Sequence, residues 1–187
     1  AIGSALIPIL LKDADTHCIL LLRARSTEEL DTRLENLFQF WQTGPADTTL
    51  RHRVQALCGD VTLPRFGLSE EGYRSLCAKC THIVHSAGNV RMNLPIEQAR
   101  RSAVDSALNI IELAHACSHL EKIEFVSTVG VGGRTCRSVP EDWILTAREF
   151  HNTYEQAKAE AEEAIRVEAI RGLPLTVHRP SMVVGDT

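Results

Sequence analysis

The sequence predicts an α/β fold, a doubly wound parallel sheet with helices on both faces. Two observations carry the prediction. Short apolar runs recur along the chain, each bounded by turn residues, as in buried parallel strands. Longer segments lie between them, with apolar residues every three or four positions. Regular alternation of the two implies βαβ units with right-handed crossovers.

The elements follow in order. "AIGSALIPIL" at residues 1–10 reads as the first turns of a helix with small residues at its start. "HCILLLRAR" is an apolar strand with a basic end. "EELDTRLENLFQFWQ" places Leu30, Leu34, Leu37 and Phe38 on one helical face. "LRHRVQALCGD" carries a strand into the turn Gly59-Asp60, and "THIVHSAG" ends a strand in small residues. "IEQARRSAVDSALNIIELAHAC" reads as one helix with Ile96, Ala99, Ala103, Ala107, Ile110 and Ala114 along a stripe. "LEKIEFVSTVG" is the next strand. "TYEQAKAEAEEAIRVEAIRG" is rich in helix formers and reaches Gly172, a C-cap. "LPLTVHRPSMVVGD" is the last strand and its exit. There is no internal repeat, low-complexity tract or linker, so residues 1–187 read as one domain.

The gross numbers exclude several classes. At 44% hydrophobic and 24% charged residues the chain is an ordinary globular one. A net charge of -4 is no footprint for nucleic acid. No apolar run approaches the roughly 18 residues of a membrane span, and no secretory signal opens the chain. Six cysteines, at 18, 58, 77, 80, 117 and 136, form no disulfide framework and suit a reducing, cytoplasmic compartment. "CAKC", Cys77 to Cys80, lacks the second ligand pair of a structural zinc site. It reads as a helix end, and no metal is expected.

Several residues could carry chemistry. In a Rossmann-type dinucleotide-binding fold the first strand runs into a G-x-G-x-x-G turn, and the next helix starts at the last glycine. Gly3 fits that glycine. The first strand and two earlier glycines are then absent, and in the 3-2-1-4-5-6 order that strand belongs between "CILLL" and "HIVHS". With both neighbours left unpaired, the chain alone is expected neither to fold stably nor to bind its cofactor well. Tyr154 and Lys158 stand at i and i+4, on one helical face. A nearby ammonium favours a phenolate, so the pair could exchange a proton with an alcohol or carbonyl oxygen. A solvated helix face would show the same spacing. Ser127 and Thr128 end an apolar strand, where open α/β sheets bind ligands. Either hydroxyl could hold a substrate oxygen, or simply cap a turn. "HSAG", with Ser86, Ala87 and Gly88, would let a planar cofactor approach the backbone, and Asp60 could accept from an adenine amine. The second strand of that order ends Leu22-Arg23-Ala24-Arg25 with no acid at its tip. A guanidinium there suits a 2′-phosphate, which favours NADP over NAD.

Together these residues resemble the extended short-chain dehydrogenase/reductase superfamily over nearly the whole chain. Thr128, Tyr154 and Lys158 look like its catalytic Ser/Thr, Tyr and Lys. "RPSMVVGD", with Pro180, Met182 and Val183, looks like the RP-x-x-x-x-G segment on the nicotinamide side of the cofactor. Within the superfamily the chain resembles NADP-dependent thioester reductases. These are the terminal reductase domains of nonribosomal peptide and polyketide synthases, with carboxylic acid reductases and fatty acyl reductases as relatives. "GDVTLPRFGLSEEGYRSL" carries that group's G-D-[LV]-x-x-P-x-[FL]-G-L-S signature, and "HIVHSAGNV" and "FVSTVGVGG" follow its wording. The resemblance implies that Ile2 and Gly3 border the phosphate loop, that Arg23 and Arg33 face the NADP phosphates, and that Asp60 and Val61 flank the adenine. It implies an NADPH-dependent reductase of an acyl thioester on a carrier-protein phosphopantetheine arm or coenzyme A, within a larger multidomain synthase whose C-terminal substrate region this chain lacks. A sugar epimerase, dehydratase or hydroxysteroid-type dehydrogenase is the alternative enzyme, and a non-catalytic cofactor-binding domain the alternative class. Two departures stand out. Ser86 and Gly88 interrupt the family's H-N-A-A, and Ala103 stands where its N-V-x-G-T-x-N has the asparagine that helps position the lysine.

Overall fold

The structure is a computed structural model that describes residues 2–44, 47–134 and 138–184. Cys136 and the final glycine of the RP-x-x-x-x-G segment, Gly185, lie outside the described residues. The chain divides into two compact units, residues 1–60 with 66–68, and residues 61–65 with 69–187.

The first unit begins with α1 (Ile2–Leu10) and β1 (Cys18–Leu22), then α2 (Thr27–Phe40), α3 (Thr48–His52) and β2 (Val54–Cys58). The strands β1 and β2 pair in parallel from Cys18↔Val54 to Leu22↔Cys58. Their inward residues join Ile7, Leu11 and Phe38 in a buried cluster. Two polar side chains fasten α1 to the rest of this unit. Trp41 Nε1 donates to the Ser4 carbonyl at 2.7 Å, and Arg53 donates to the carbonyls of Leu11 at 2.9 Å and Asp13 at 2.7 Å. The Ser4 carbonyl faces Pro8, which has no N–H to give it, so the indole supplies the missing donor, and Arg53 satisfies the Leu11 carbonyl just past the helix end. Ser26 caps α2, its Oγ accepting from the Glu29 amide at 3.3 Å.

The second unit runs α4 (Glu70–Lys79), β3 (His82–His85), α5 (Ile96–Arg100), α6 (Ser106–Ala116), β4 (Lys122–Val126), α7 (Thr153–Ile170) and β5 (Leu175–His178). Its sheet has the order β3-β4-β5, all parallel. The five strands are the five apolar runs read from the sequence. Their pairings reproduce, within each unit, the neighbours that the expected order requires, and no strand precedes α1 among the described residues.

Alanine governs the packing of the second unit. Ala99, Ala103 and Ala107 meet Ala157 and Ala161, with Phe125 and Ile165 completing the core. Side chains this small let helices approach closely. Residues 96–116, read as one helix, are α5 and α6 joined by a π-helical turn, Arg101–Asp105. The turn inserts a residue without ending the helix. Ser106, fully buried, returns its hydroxyl to the carbonyls of Ser102 and Ala103 at 2.8 and 3.0 Å. Among the described residues no helix is long and apolar enough to cross a membrane.

Candidate active site

The site in the second unit is built where β4 ends. The Ser127 amide donates to the His178 carbonyl at 2.7 Å and the Val129 amide to the Pro180 carbonyl at 3.1 Å, so pairing with β5 continues past both strands. This holds Thr128 rigidly between two backbone bonds. Ser127 is buried, and its hydroxyl has no partner among the described residues. Thr128 is half-buried and opens the 3-10 turn Val129–Gly132, its hydroxyl accepting from the Gly130 amide at 3.2 Å. The capping role foreseen for a strand-end hydroxyl is therefore filled, and the Thr128 hydroxyl also favours the Tyr154 phenolate.

The turn depends on glycine where it closes. Gly133 has φ 66° and ψ -166°, a region nearly restricted to glycine. A Cβ there would lie 2.4 Å from the Glu149 carbonyl oxygen, which itself accepts from the Arg134 amide. Gly133→Ala is expected to cost about 2 kcal/mol or more, read as a lower urea midpoint. An unchanged midpoint would contradict this account of the turn.

The helix α7 carries the other two residues. Its N-terminus is fixed twice. Asn152 Oδ1 accepts from the Glu155 amide at 2.9 Å, and Thr153 Oγ1 donates to the Leu94 carbonyl at 2.7 Å in the loop after β3. Tyr154 thus stands in the first turn and Lys158 one turn later. Lys158 is 6% exposed, with Nζ donating to the Val126 carbonyl at 2.7 Å and lying 5.1 Å from the Phe125 ring centroid. Burial pushes its ammonium down to about 8, and the Glu162 carboxylate pulls it back up. Burial also raises the Tyr154 phenol, while the Thr128 hydroxyl lowers it. The ammonium is turned to the Val126 carbonyl.

His85 lies beneath the site, its ring 5.0 Å from that of Phe125. Burial drives its pKa down to about 3, with Lys158 adding to the effect, so it is neutral. Ser86 is half-buried while Ala87 and Gly88 are exposed, and a Cβ on Gly88 would meet nothing within 4 Å. A small cavity is lined by Gly88, Ala103, Tyr154 and Lys158, among others. The alanine that replaces the family's asparagine therefore borders the expected catalytic pair, in the π turn. Val61 accepts from Asn109 Nδ2 at 2.8 Å. Pro180 is half-buried, and Met182 and Val183 are exposed.

The first unit holds Ile2, Gly3, Arg23, Arg33 and Asp60. Ile2 and Gly3 form the first turn of α1. Arg23 and Asp60 follow adjacent parallel strands and form a two-pronged ion pair at 2.9 and 3.0 Å. Arg33 is held by Glu29 one turn earlier in α2, at 2.9 Å. Both expected phosphate ligands are thus oriented by carboxylates, which the sequence did not suggest. Cys77 lies in α4 and Cys80 caps it. Burial, with these two sulfurs adding to it, pushes the Cys117 thiol up to about 12.

Sequence reasoning passed over Glu162 and Arg179. Charged residues on a helix and after a strand ordinarily face water, yet these two are buried against each other. The useful signal was position, since Glu162 is one turn beyond Lys158 and Arg179 directly precedes Pro180.

Comparison with known proteins bears on the family and the fold. Residues 1–187 match the NAD-binding family described as "Male sterility protein". The chain is 29% identical to isonitrile lipopeptide synthase of Streptomyces coeruleorubidus over 98% of its own length and 12% of that protein. It is 29% identical to the glycine betaine reductase ATRR of Emericella nidulans over 100% of its length, 15% of that protein. The chain therefore spans only a small part of the curated relatives it matches. It superimposes with a TM-score of 0.85 on the crystal structure of the terminal R domain from the myxalamid PKS-NRPS biosynthetic pathway. That match is 28% identical and covers 99% of this chain and 47% of the other. The chain belongs to the Male sterility protein family, in the thioester reductase-like branch of the extended short-chain dehydrogenase/reductase superfamily.

Proposed function

We propose that residues 1–187 form most of the NADP-binding part of a reductase that converts an acyl thioester to an aldehyde or alcohol. The observation that carries this reading is that Tyr154 and buried Lys158, one turn apart on α7, line one cavity with Gly88 and Ala103. The donor set fits a phosphorylated dinucleotide. Arg23 and Arg33 offer guanidinium forks, and exposed ion pairs such as theirs are weak enough for a phosphate dianion to compete. NADPH, when bound, supplies the hydride. Thr128 and Tyr154 hold the carbonyl oxygen, and Tyr154 gives it a proton as negative charge develops there. Lys158 supplies a fixed positive charge and donors for the nicotinamide ribose. Asp60 and Val61 border the adenine, while Ser86, Ala87, Gly88, Pro180, Met182 and Val183 border the nicotinamide side. The acyl group arrives on a carrier-protein phosphopantetheine arm or on coenzyme A.

The intact protein is expected to oxidise NADPH only when given an acyl thioester, with a trapped aldehyde as product. Arg23→Ala should raise the KM for NADPH at least about tenfold while leaving that for NADH nearly unchanged, the loss of one charged hydrogen-bond pair. Turnover of nucleotide sugars instead of thioesters would select the epimerase class. Tight NADPH binding without turnover of any carbonyl would select a binding domain.

A further inference from the structure

We infer that Glu162 and Arg179 are positioning residues for Lys158 and for the chain leaving β5, acting as one buried pair. The inference rests on the catalytic reading of Tyr154 and Lys158 given above. Glu162 lies on α7 at i+4 from Lys158, on the same face. Its side chain is 5% exposed and that of Arg179 12%. The guanidinium meets the carboxylate edge-on, with Nη2 to Oε2 at 2.7 Å and Nε to Oε1 at 3.0 Å. Its remaining nitrogen donates to the carbonyls of Pro140 at 2.7 Å and Asp142 at 2.9 Å. One side chain therefore ties together the helix of Tyr154 and Lys158, the residue before Pro180, and the segment at 140–142. A buried pair is seldom retained for stability alone, because desolvation offsets most of its attraction. Here it places a carboxylate beside a second buried cation.

The charged and titratable groups around Lys158 are few. His85 faces it from β3 and is neutral. β4 contributes the Phe125 ring and the Val126 carbonyl. α7 itself contributes Tyr154 and Glu162, and Arg179 reaches Glu162 from the end of β5. Glu162 is thus the group that favours the charged ammonium against burial. Removing its charge lowers the affinity of Lys158 for its proton. The orphaned Arg179 then acts in the same direction.

The test is the protonation midpoint of Lys158, read by NMR of ¹⁵N-labelled lysine in the intact protein with no substrate present. Glu162→Gln should lower that midpoint by about one pH unit, and the alkaline limb of the rate profile should move with it. Glu162→Asp should keep both close to wild type. If Glu162→Gln does not fold, Glu162→Gln with Arg179→Met removes both buried charges and leaves none orphaned. It should lower the midpoint in the same direction by less. An unchanged midpoint in either variant overturns the inference. Because the NMR titration needs no turnover, failure to reduce any thioester would sink the reaction proposed above without touching this result.

Discussion

Tyr154→Phe is expected to lower turnover of an acyl thioester by about 10²- to 10⁴-fold, the usual contribution of a positioned general acid. The substitution keeps the ring and removes only the hydroxyl, so the packing of the first turn of α7 should survive. Affinity for NADPH should change by less than about threefold, since the phenol is assigned to the carbonyl and not to the cofactor phosphates. The loss should therefore fall on kcat, as for an interaction made chiefly in the transition state. Rate measurements with trapped aldehyde and a separate NADPH titration check both halves. Undiminished oxidation of NADPH with thioester would end the proposed mechanism. A collapse in NADPH affinity would show instead that Tyr154 is structural.

Phe125→Ala should produce the largest loss of stability. Phe125 is fully buried at the centre of the alanine-rich core, next to the His85 ring and the Lys158 ammonium. Truncating a buried phenylalanine costs about 3–5 kcal/mol, because the cavity adds to the lost transfer energy. The neighbouring alanines make that cavity hard to refill, since they have no side-chain length with which to move into it. Lys158 also loses the ring that attracts it. For a chain of this size the melting temperature should fall by roughly 10 °C. A fall of less than about 3 °C would mean that the core collapses around the hole.

The strands were legible because each is an apolar run closed by small or polar residues, and buried parallel strands require that pattern. The Tyr154–Lys158 pair was legible because helical spacing alone puts the two on one face. The π turn at Arg101–Asp105 was not. It shifts the register by one residue, and in "QARRSAVDSAL" alanine and serine fit either register. The carboxylates beside Arg23 and Arg33 differ in this respect. Glu29 is one turn from Arg33 and was open to spacing arguments, whereas Asp60 meets Arg23 only because β1 and β2 are neighbours. Glu162 looked like one more solvated acid in "AEAEEAI", and nothing in that string marks which glutamate turns inward.

The Thr128 hydroxyl has a single proton. Its oxygen accepts from the Gly130 amide, so the turn sets where the hydroxyl lies, and the hydroxyl in turn favours the Tyr154 phenolate. The acidity of the phenol is then linked to the shape of a backbone turn. A Cβ at residue 130 would stand 2.7 Å from Glu155 Cγ, so the turn has little freedom to tilt. Evolution could thus retune the working pH of this site by reshaping the loop after β4, leaving Thr128, Tyr154 and Lys158 untouched.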